Sequence, residues 1–249
     1  SGVVGLLILS AVVAAALLAP LRDPGNPWDA VAAPFTPPGT DGMLMGSDSL
    51  GRDIAAGIVH GARVSLMIGI ASTLVALLIG VLVGAVAGYA GGHWASLLMG
   101  ITEFFQSVPA FVLAILFVAI LTPSVATITL AIALVSWPQV ARLTRSEFLT
   151  LKEREYVQAA RSLGESHAAL VLRHILPNAL SPIVVAGSLS VATAILIESA
   201  LSFMGLGDPN LMSWGYMVGS ARTMMRQAWW MSFFPGMAIL LTVLAINLV

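Results

Sequence analysis

Residues 104–141, FFQSVPAFVLAILFVAILTPSVATITLAIALVSWPQVA, contain no Asp, Glu, Lys or Arg. A helix rises about 1.5 Å per residue and the hydrocarbon core of a bilayer is about 30 Å thick, so about 20 apolar residues make one crossing. This run is too long for a single crossing. Pro123, in LTPSVA, is the expected turn, giving helices near 95–121 and 124–149. Further uncharged windows lie at 1–21, 64–92, 175–197 and 227–249. Lipid offers backbone groups no hydrogen-bond partner, so each run must pair its own amides and is read as a helix. The expected fold class is therefore all-α and integral to the membrane. It has six transmembrane helices in a single domain over residues 1–249.

Composition agrees with a bilayer as solvent. Only 9% of residues are charged, against about 25% in soluble domains, too few to cover a water-facing surface. The net charge of -1 and the lack of a broad basic surface argue against a nucleic-acid partner. The absence of cysteine excludes disulfides, thiolate metal sites and cysteine catalysis. His60, His93, His167 and His174 include no i,i+4 pair, so no metal site is expected. No Ser, His and Asp converge in an apolar run, and no GxxxxGK[ST] loop is present, so no catalytic residues are assigned. The chain starts at Ser1 and stops at Val249 inside an apolar run, which reads as a portion lacking a few terminal residues. The first window is read as a spanning helix rather than a signal peptide.

Orientation follows from the basic residues. Arg142, Arg145, Lys152, Arg154, Arg161 and Arg173, more than half of the 11 Lys and Arg, crowd between the fourth and fifth spans. The positive-inside rule puts that loop and both termini in the cytoplasm. The connections at about 21–61 and 204–231 then lie outside. Leading into and through the first, residues 20–43 carry Pro20, Pro24, Pro27, Pro34, Pro37 and Pro38 and are expected to be irregular. In the second, Trp214, Trp229 and Trp230 suit headgroup positions with the indole N–H toward water.

Charges elsewhere are few enough to weigh singly. Glu103 and Glu198 fall in or near spans, where a carboxylate either lines a pathway or bonds a neighbouring helix. For Glu198 both readings stand equal; for Glu103 the second is favoured. Arg63 is expected to snorkel at the start of the second span. Asp48 and Arg52, four apart on an expected short helix, form with Asp53 either a weak surface ion pair or a contact surface outside the membrane.

The remaining charge is concentrated in EREYVQAARSLGESHAALVLRHILPN, residues 153–178. Thr150 and Glu153 have capping-box spacing. Val157, Ala159, Ala160 and Leu163 form a small-residue apolar face, and Gly164 reads as a helix stop. A second helix fits Ser166–Leu176 and is expected to end at Pro177. The loop at about 151–177 is thus a hairpin that either floats on the membrane or plugs into another protein. Ala159 and Ala160 favour the second, because small residues admit a close partner and anchor poorly in lipid.

These residues resemble a family. Gln158-Ala159-Ala160, then Gly164, then Ile175-Leu176-Pro177, is similar to the EAA loop of ABC importer permeases, and EYVQAARSLG…RHILPN to their dipeptide/oligopeptide branch. GSDSLGRD (Gly46 to Asp53) with GARVSL, and ESALSFMGLG (Glu198 to Gly207) with Trp214-Gly215 and Pro235-Gly236, resemble further signatures of that branch, in its type C half. The resemblance covers residues from about 3 to 249. Gln158 stands where the family has Glu, and Ser47 where it has Thr.

The resemblance implies a type I ABC importer permease fold in the bacterial plasma (inner) membrane, with a cytoplasmic EAA coupling hairpin between helices four and five. It implies half of a translocation pathway for di- or oligopeptides, shared with a homologous second permease subunit. Two ATPase subunits, or a heterodimer of them, would grip the hairpin at Tyr156, Gln158, Ala159, Ala160, Leu163, Gly164, Leu176 and Pro177. In that picture Ala159 and Ala160 meet the ATPase and Leu163 packs beneath. ATP and Mg would sit on the ATPases, with no cofactor on this chain, and an extracytoplasmic substrate-binding protein would deliver the cargo. Related permeases serve dipeptides, oligopeptides, glutathione and nickel, and selection belongs largely to the binding protein. The rival reading is a secondary transporter or channel that uses Glu103 or Glu198 as a relay. Such a carrier has no need of the hairpin.

Overall fold

A computed structural model describes residues 2–22 and 26–249. Asp23, Pro24 and Gly25, in the proline-bearing connection, lie outside the described residues. The described helices are α1 (Gly2–Arg22), α2 (Ile54–Ala90), α3 (Gly92–Ser107), α4 (Ala110–Ile120), α5 (Val125–Leu151), α6 (Glu155–Ser162) and α7 (His167–Ala169). A π-helical turn, Leu170–Ile175, joins α7 to α8 (Leu176–Phe203), and α9 (Trp214–Ala221) and α10 (Trp230–Leu248) follow. Extended pairing among the described residues is confined to isolated bridges such as Ala30–Arg52 and Ser47–Asp53.

Among the described residues five continuous helices are long and apolar enough to cross a membrane, and α3 with α4 make a sixth when counted as one span. That pair is bent by 85°, so the expected helix at 95–121 is broken. Val108 is extended (φ -96°, ψ 134°), as a residue before proline is pushed to be, and Pro109 then heads α4, where a missing N–H costs little. The turn at Pro123 is present as well, between Ile120 and Val125. The second span starts at Ile54 rather than at 64. Asp53 caps it by accepting the Ala55 N–H at 2.9 Å, and Arg63 rides exposed within the helix.

The chain divides into two compact units, one of Ser1–Ala71, Ile115–Thr129 and Val191–Val249, the other of Ser72–Ala114 and Leu130–Ser190. In the first, Ile54, Leu66, Ile195, Met212, Trp214, Met217 and Trp230 share one core. The tryptophans correct an expectation. Trp214 and Trp230 are buried, and their indole N–H groups donate to the carbonyls of Ile58 (2.9 Å) and Ser47 (3.1 Å). Of the three, only Trp229 is exposed, so one ring rather than three is placed as an interfacial anchor would be.

In the second unit α2 and α5 pack through a stripe of glycines one turn apart. A Cβ at Gly80 would come within 2.5 Å of Val140 Cβ, one at Gly88 within 2.6 Å of Phe148 Cβ, and one at Gly84 would run into the Ala141 carbonyl. Apolar side chains gain nothing by leaving lipid for one another, so close backbone approach at small residues is what joins such helices. A second core forms around Phe148, Val157, Leu170, Ile175, Ala179 and Ile183 and seats the hairpin.

Candidate functional site

The hairpin begins where α5 stops. Thr150 lies inside α5, its hydroxyl donating to the Ser146 carbonyl at 3.1 Å, so the expected capping box does not form. Instead α6 starts after Arg154, whose extended backbone receives no side-chain cap. The turn between the helices is closed by Gln158. Its amide donates to the Lys152 carbonyl at 3.1 Å and approaches the Glu153 carboxylate at 3.4 Å. Lys152 in turn donates from Nζ to the Gly88 carbonyl at 3.3 Å, fixing the turn to the end of α2.

Gly164 ends α6 as expected, and the geometry says why it must be glycine. Its φ is +85°, a left-handed value that a Cβ disfavours. The Gly164 N–H donates to the Arg161 carbonyl (3.0 Å) and the Glu165 N–H to Ala160 (3.2 Å), the two bonds of a Schellman cap. Ser166 then caps α7, accepting the Ala169 N–H at 3.3 Å. Two side-chain bonds hold the return helix: Tyr89 Oη to His167 Nδ1 at 2.6 Å, and His174 Nε2 to Glu165 Oε2 at 2.9 Å.

Pro177 does not end the second helix. The chain stays helical from His167 to Phe203, with the π turn immediately before the proline. A π turn already departs from the i→i−4 ladder that a proline would break. The Asn178 side-chain amide donates to the His174 carbonyl one turn back, at 2.6 Å. Leu176 is half-buried and Pro177 exposed.

The faces of α6 are set by its neighbours. Val157 and Ala160 point inward onto Phe148, Leu170 and Ile175, and Ala160 is therefore part of the seat rather than the outer face. Leu163, expected beneath, stands 87% exposed. With it the hairpin presents Tyr156, Ala159 and Leu172, flanked by Arg154, Arg161 and Arg173, all exposed. An apolar crest ringed by arginine on a cored, capped hairpin is the composition of a contact surface. The parts that Tyr89, His167, Lys152 and Phe148 play in holding the hairpin are not visible in the sequence. Tyr89 and His167 are 78 positions apart, and no local pattern signals their bond.

The other expected residues resolve differently. Asp48 and Arg52 are buried, not a surface pair, and lie in a turn rather than a helix. The Asp48 carboxylate accepts the backbone N–H groups of Leu50 (2.8 Å) and Arg52 (2.9 Å) and pairs with the Arg52 guanidinium, which lies 5.0 Å over the Trp28 ring. Gly46 (φ +82°) and Gly51 (φ +79°) complete the turn, each so close to a carbonyl that a Cβ would collide. Ser47 donates to the Ala33 carbonyl at 2.6 Å and accepts the Thr36 N–H at 2.9 Å, bonds any hydroxyl could make. The GSDSLGRD stretch is thus a folding knot, and Asp53 its helix cap.

Glu198 is 1% exposed and held by serines. Ser202 donates to Oε1 at 2.8 Å, Ser213 at 2.7 Å, and Ser199 approaches Oε2 at 3.4 Å. Ser213 also caps α9 by accepting the Tyr216 N–H, and Ser65 of α2 accepts the Trp214 N–H. The carboxylate therefore binds α8 to α9 in place of lining an open path. Glu103, by contrast, stands exposed on α3 at the rim of a cleft.

Comparison with known proteins places the chain. Residues 80–249 match the family described as binding-protein-dependent transport system inner membrane component. The chain is similar to a di/tripeptide transport system permease protein of Pseudomonas aeruginosa, 40% identical over 98% of this chain and 83% of that one. It is also similar to a dipeptide transport system permease protein of Alkalihalophilus pseudofirmus (38%, 99% and 82%) and to a glutathione transport system permease protein of Escherichia coli (42%, 82% and 68%). Among solved structures, an inward-facing methionine ABC transporter superposes with a TM-score of 0.65 at 18% identity, over 76% of this chain and 90% of that one. An amino acid ABC transporter superposes with a TM-score of 0.62 at 16% identity, over 78% and 90%. These likenesses establish the fold as that of ABC importer permeases.

Proposed function

The chain belongs to the binding-protein-dependent transport system inner membrane component family, and we propose that it is a peptide-importing permease subunit whose hairpin takes up ATPase movement. A secondary carrier with Glu103 or Glu198 as its relay is disfavoured by that membership, and Glu198 is buried with two serines donating to its Oε1. The observation that carries the coupling role is the crest of Tyr156, Ala159, Leu163 and Leu172 on a hairpin anchored through Val157, Ala160, Leu170 and Ile175. A lever must be stiff where it meets the motor and fixed where it meets the load, and rigid-body switching needs such packed elements. In this reading the crest sits in a cleft of an ATPase subunit, with ATP and Mg on that subunit. The hairpin and both termini face the cytoplasm. A homologous permease forms the other half of the pathway, and a binding protein delivers the cargo outside. The similar permeases serve di- and tripeptides, dipeptides and glutathione, which supports short peptides as the cargo.

The test is reconstitution. Purified with its ATPases, sister permease and binding protein, the chain is expected to support uptake of a labelled di- or tripeptide that stops when ATP is withheld. Flux driven by an ion gradient alone, without ATPases, would overturn the reading.

Gln158 yields a separate expectation. In this chain it works inward, so restoring the family's acid should not strengthen docking. Gln158→Glu replaces a donor facing the Lys152 carbonyl by an acceptor and adds a charge beside Glu153. Loss of about 1 kcal/mol is expected. It would be read as about fivefold faster amide hydrogen exchange across α6 and no gain in ATPase retention; unchanged exchange with tighter retention would show that the residue points outward in the assembly.

A further inference from the structure

In the second unit a cleft of about 580 Å³ lies between the end of α2, α3 and the last turns of α5. That is within the range of roughly 300–1,000 Å³ typical of small-ligand sites. Gly91, Gly92 and Gly100 leave part of its wall as bare backbone, and a Cβ on any of them would meet nothing within 4 Å. The walls carry one charge of each sign, Glu103 from α3 and Arg145 from α5. The two do not pair: the ion pairs found among the described residues are Asp48–Arg52 and Glu165–His174. Arg145 Nε is buried and has no hydrogen-bond partner, whereas the neighbouring Arg142 donates to Gln106 at 3.0 Å. That nitrogen is closed to the cleft, but Arg145 lines the cleft wall and its side chain makes no hydrogen bond or ion pair among the described residues, so an anion entering the cleft meets a guanidinium with no competing partner. Glu103, exposed across the same space, is poised for a cation.

A single ligand answers both demands only if it carries an anion and a cation a few bonds apart. A short peptide with free termini does so, with an ammonium at one end and a carboxylate at the other. Ser96 adds a hydroxyl for its amide groups, and Met99 an apolar contact. Arg145 and Leu149 lie near the end of α5, which runs directly into the hairpin turn at Lys152. Movement of the hairpin therefore acts on the helix that carries the Arg145 wall. Resting on the peptide reading above, we propose that this cleft is a transient subsite for short zwitterionic peptides. It holds the ammonium at Glu103 and the carboxylate at Arg145, and releases them when the hairpin shifts.

The experiment uses the assembled transporter in nanodiscs and the photoreactive tripeptide Ala-benzoylphenylalanine-Ala with free termini, with adducts mapped by mass spectrometry. Adducts are expected at Met99 or Leu149. Trialanine should compete at least tenfold better than acetyl-trialanine-amide or phosphoethanolamine. Glu103→Gln, at an exposed position that spares the fold, and Arg145→Gln should each lower cleft labelling about tenfold, as loss of a charge-assisted hydrogen bond does. Arg145→Lys should retain more of the labelling than Arg145→Gln. Labelling that ignores both neutral variants, or adducts confined to other regions, would overturn the proposal. Equal competition by phosphoethanolamine would assign the cleft to a lipid headgroup and overturn it likewise. ATP-driven tripeptide uptake on the same preparation separates the two claims. Uptake without cleft adducts sinks the subsite alone, and absence of uptake of any peptide sinks the peptide reading beneath it.

Discussion

Gly164→Pro is expected to leave the chain inserted in the membrane and to cut ATP-driven uptake by tenfold or more. Proline holds φ near -65°, whereas this position sits at +85°, so the substitution cannot be accommodated by the existing turn. It also removes the N–H that donates to the Arg161 carbonyl and so dismantles the Schellman cap that sets α6 against α7. Val157 and Ala160 could not then remain seated on Phe148 and Leu170 while Leu163 stayed presented. The spans are formed elsewhere and do not depend on this turn. Gly164→Ala makes the graded control: an L-residue in the left-handed region costs about 1–2 kcal/mol, so partial uptake should survive. The readout is uptake in proteoliposomes beside ATP hydrolysis by the same complex. The expected signature is hydrolysis continuing without transport. Wild-type uptake by the proline variant would end the lever interpretation.

What the sequence disclosed followed from how strong each physical constraint was. Spans were legible because lipid tolerates no unpaired backbone, so an uncharged run of about 20 residues has few alternatives to a helix. Their breaks were harder. Pro123 and Pro109 both interrupt the long third window, yet Pro138 rides within α5, and composition does not distinguish a proline that bends from one that is absorbed. Pro177 shows the same ambiguity, resolved by the π turn before it. The glycine at 164 announced a stop because few residues adopt its backbone.

Side-chain direction was the weaker part. An eight-residue helix has an apolar face, but which side meets its own protein depends on Phe148, Leu170 and Ile175, brought in by the flanking elements. Hence Ala160 and Leu163 exchanged places. Asp48 and Arg52 look like surface charges in any window of sequence. They are buried because Gly46 and Gly51 fold their loop tightly enough for Asp48 to collect two backbone amides as well as the guanidinium. Trp214 and Trp230 suggested headgroups, yet each found a carbonyl more than 150 positions away, and such pairings have no local trace. The repeat of glycine at 80, 84 and 88 was not read from the sequence, because its spacing marks one helix face but not the helix, α5, that the face meets.

That repeat supports the second large expectation. Gly84→Leu should prevent stable folding of the α2–α5 pair, lowering the yield of detergent-soluble, monodisperse protein at least tenfold. The argument rests on what the new side chain would strike. At Gly84 the obstacles are the Ala141 carbonyl, the Thr144 Cβ at 2.6 Å and the Arg145 amide at 3.0 Å, mostly backbone or the root of a side chain. None can swing aside, so the helices must separate, which also parts Gly80 from Val140 and Gly88 from Phe148. Overpacking of ordinary core sites costs about 1–3 kcal/mol, and a site walled by backbone belongs at or beyond the upper end. Separation would also carry away the Gly88 carbonyl that Lys152 binds at 3.3 Å, so any folded remainder should show a loosened hairpin turn. Gly236→Ala is the matched control, since a Cβ there meets nothing within 4 Å and alanine favours the helix. Size-exclusion profiles and thermal melts of the two variants, run side by side, decide the matter. Equal behaviour would mean that α2 and α5 are not held by backbone proximity.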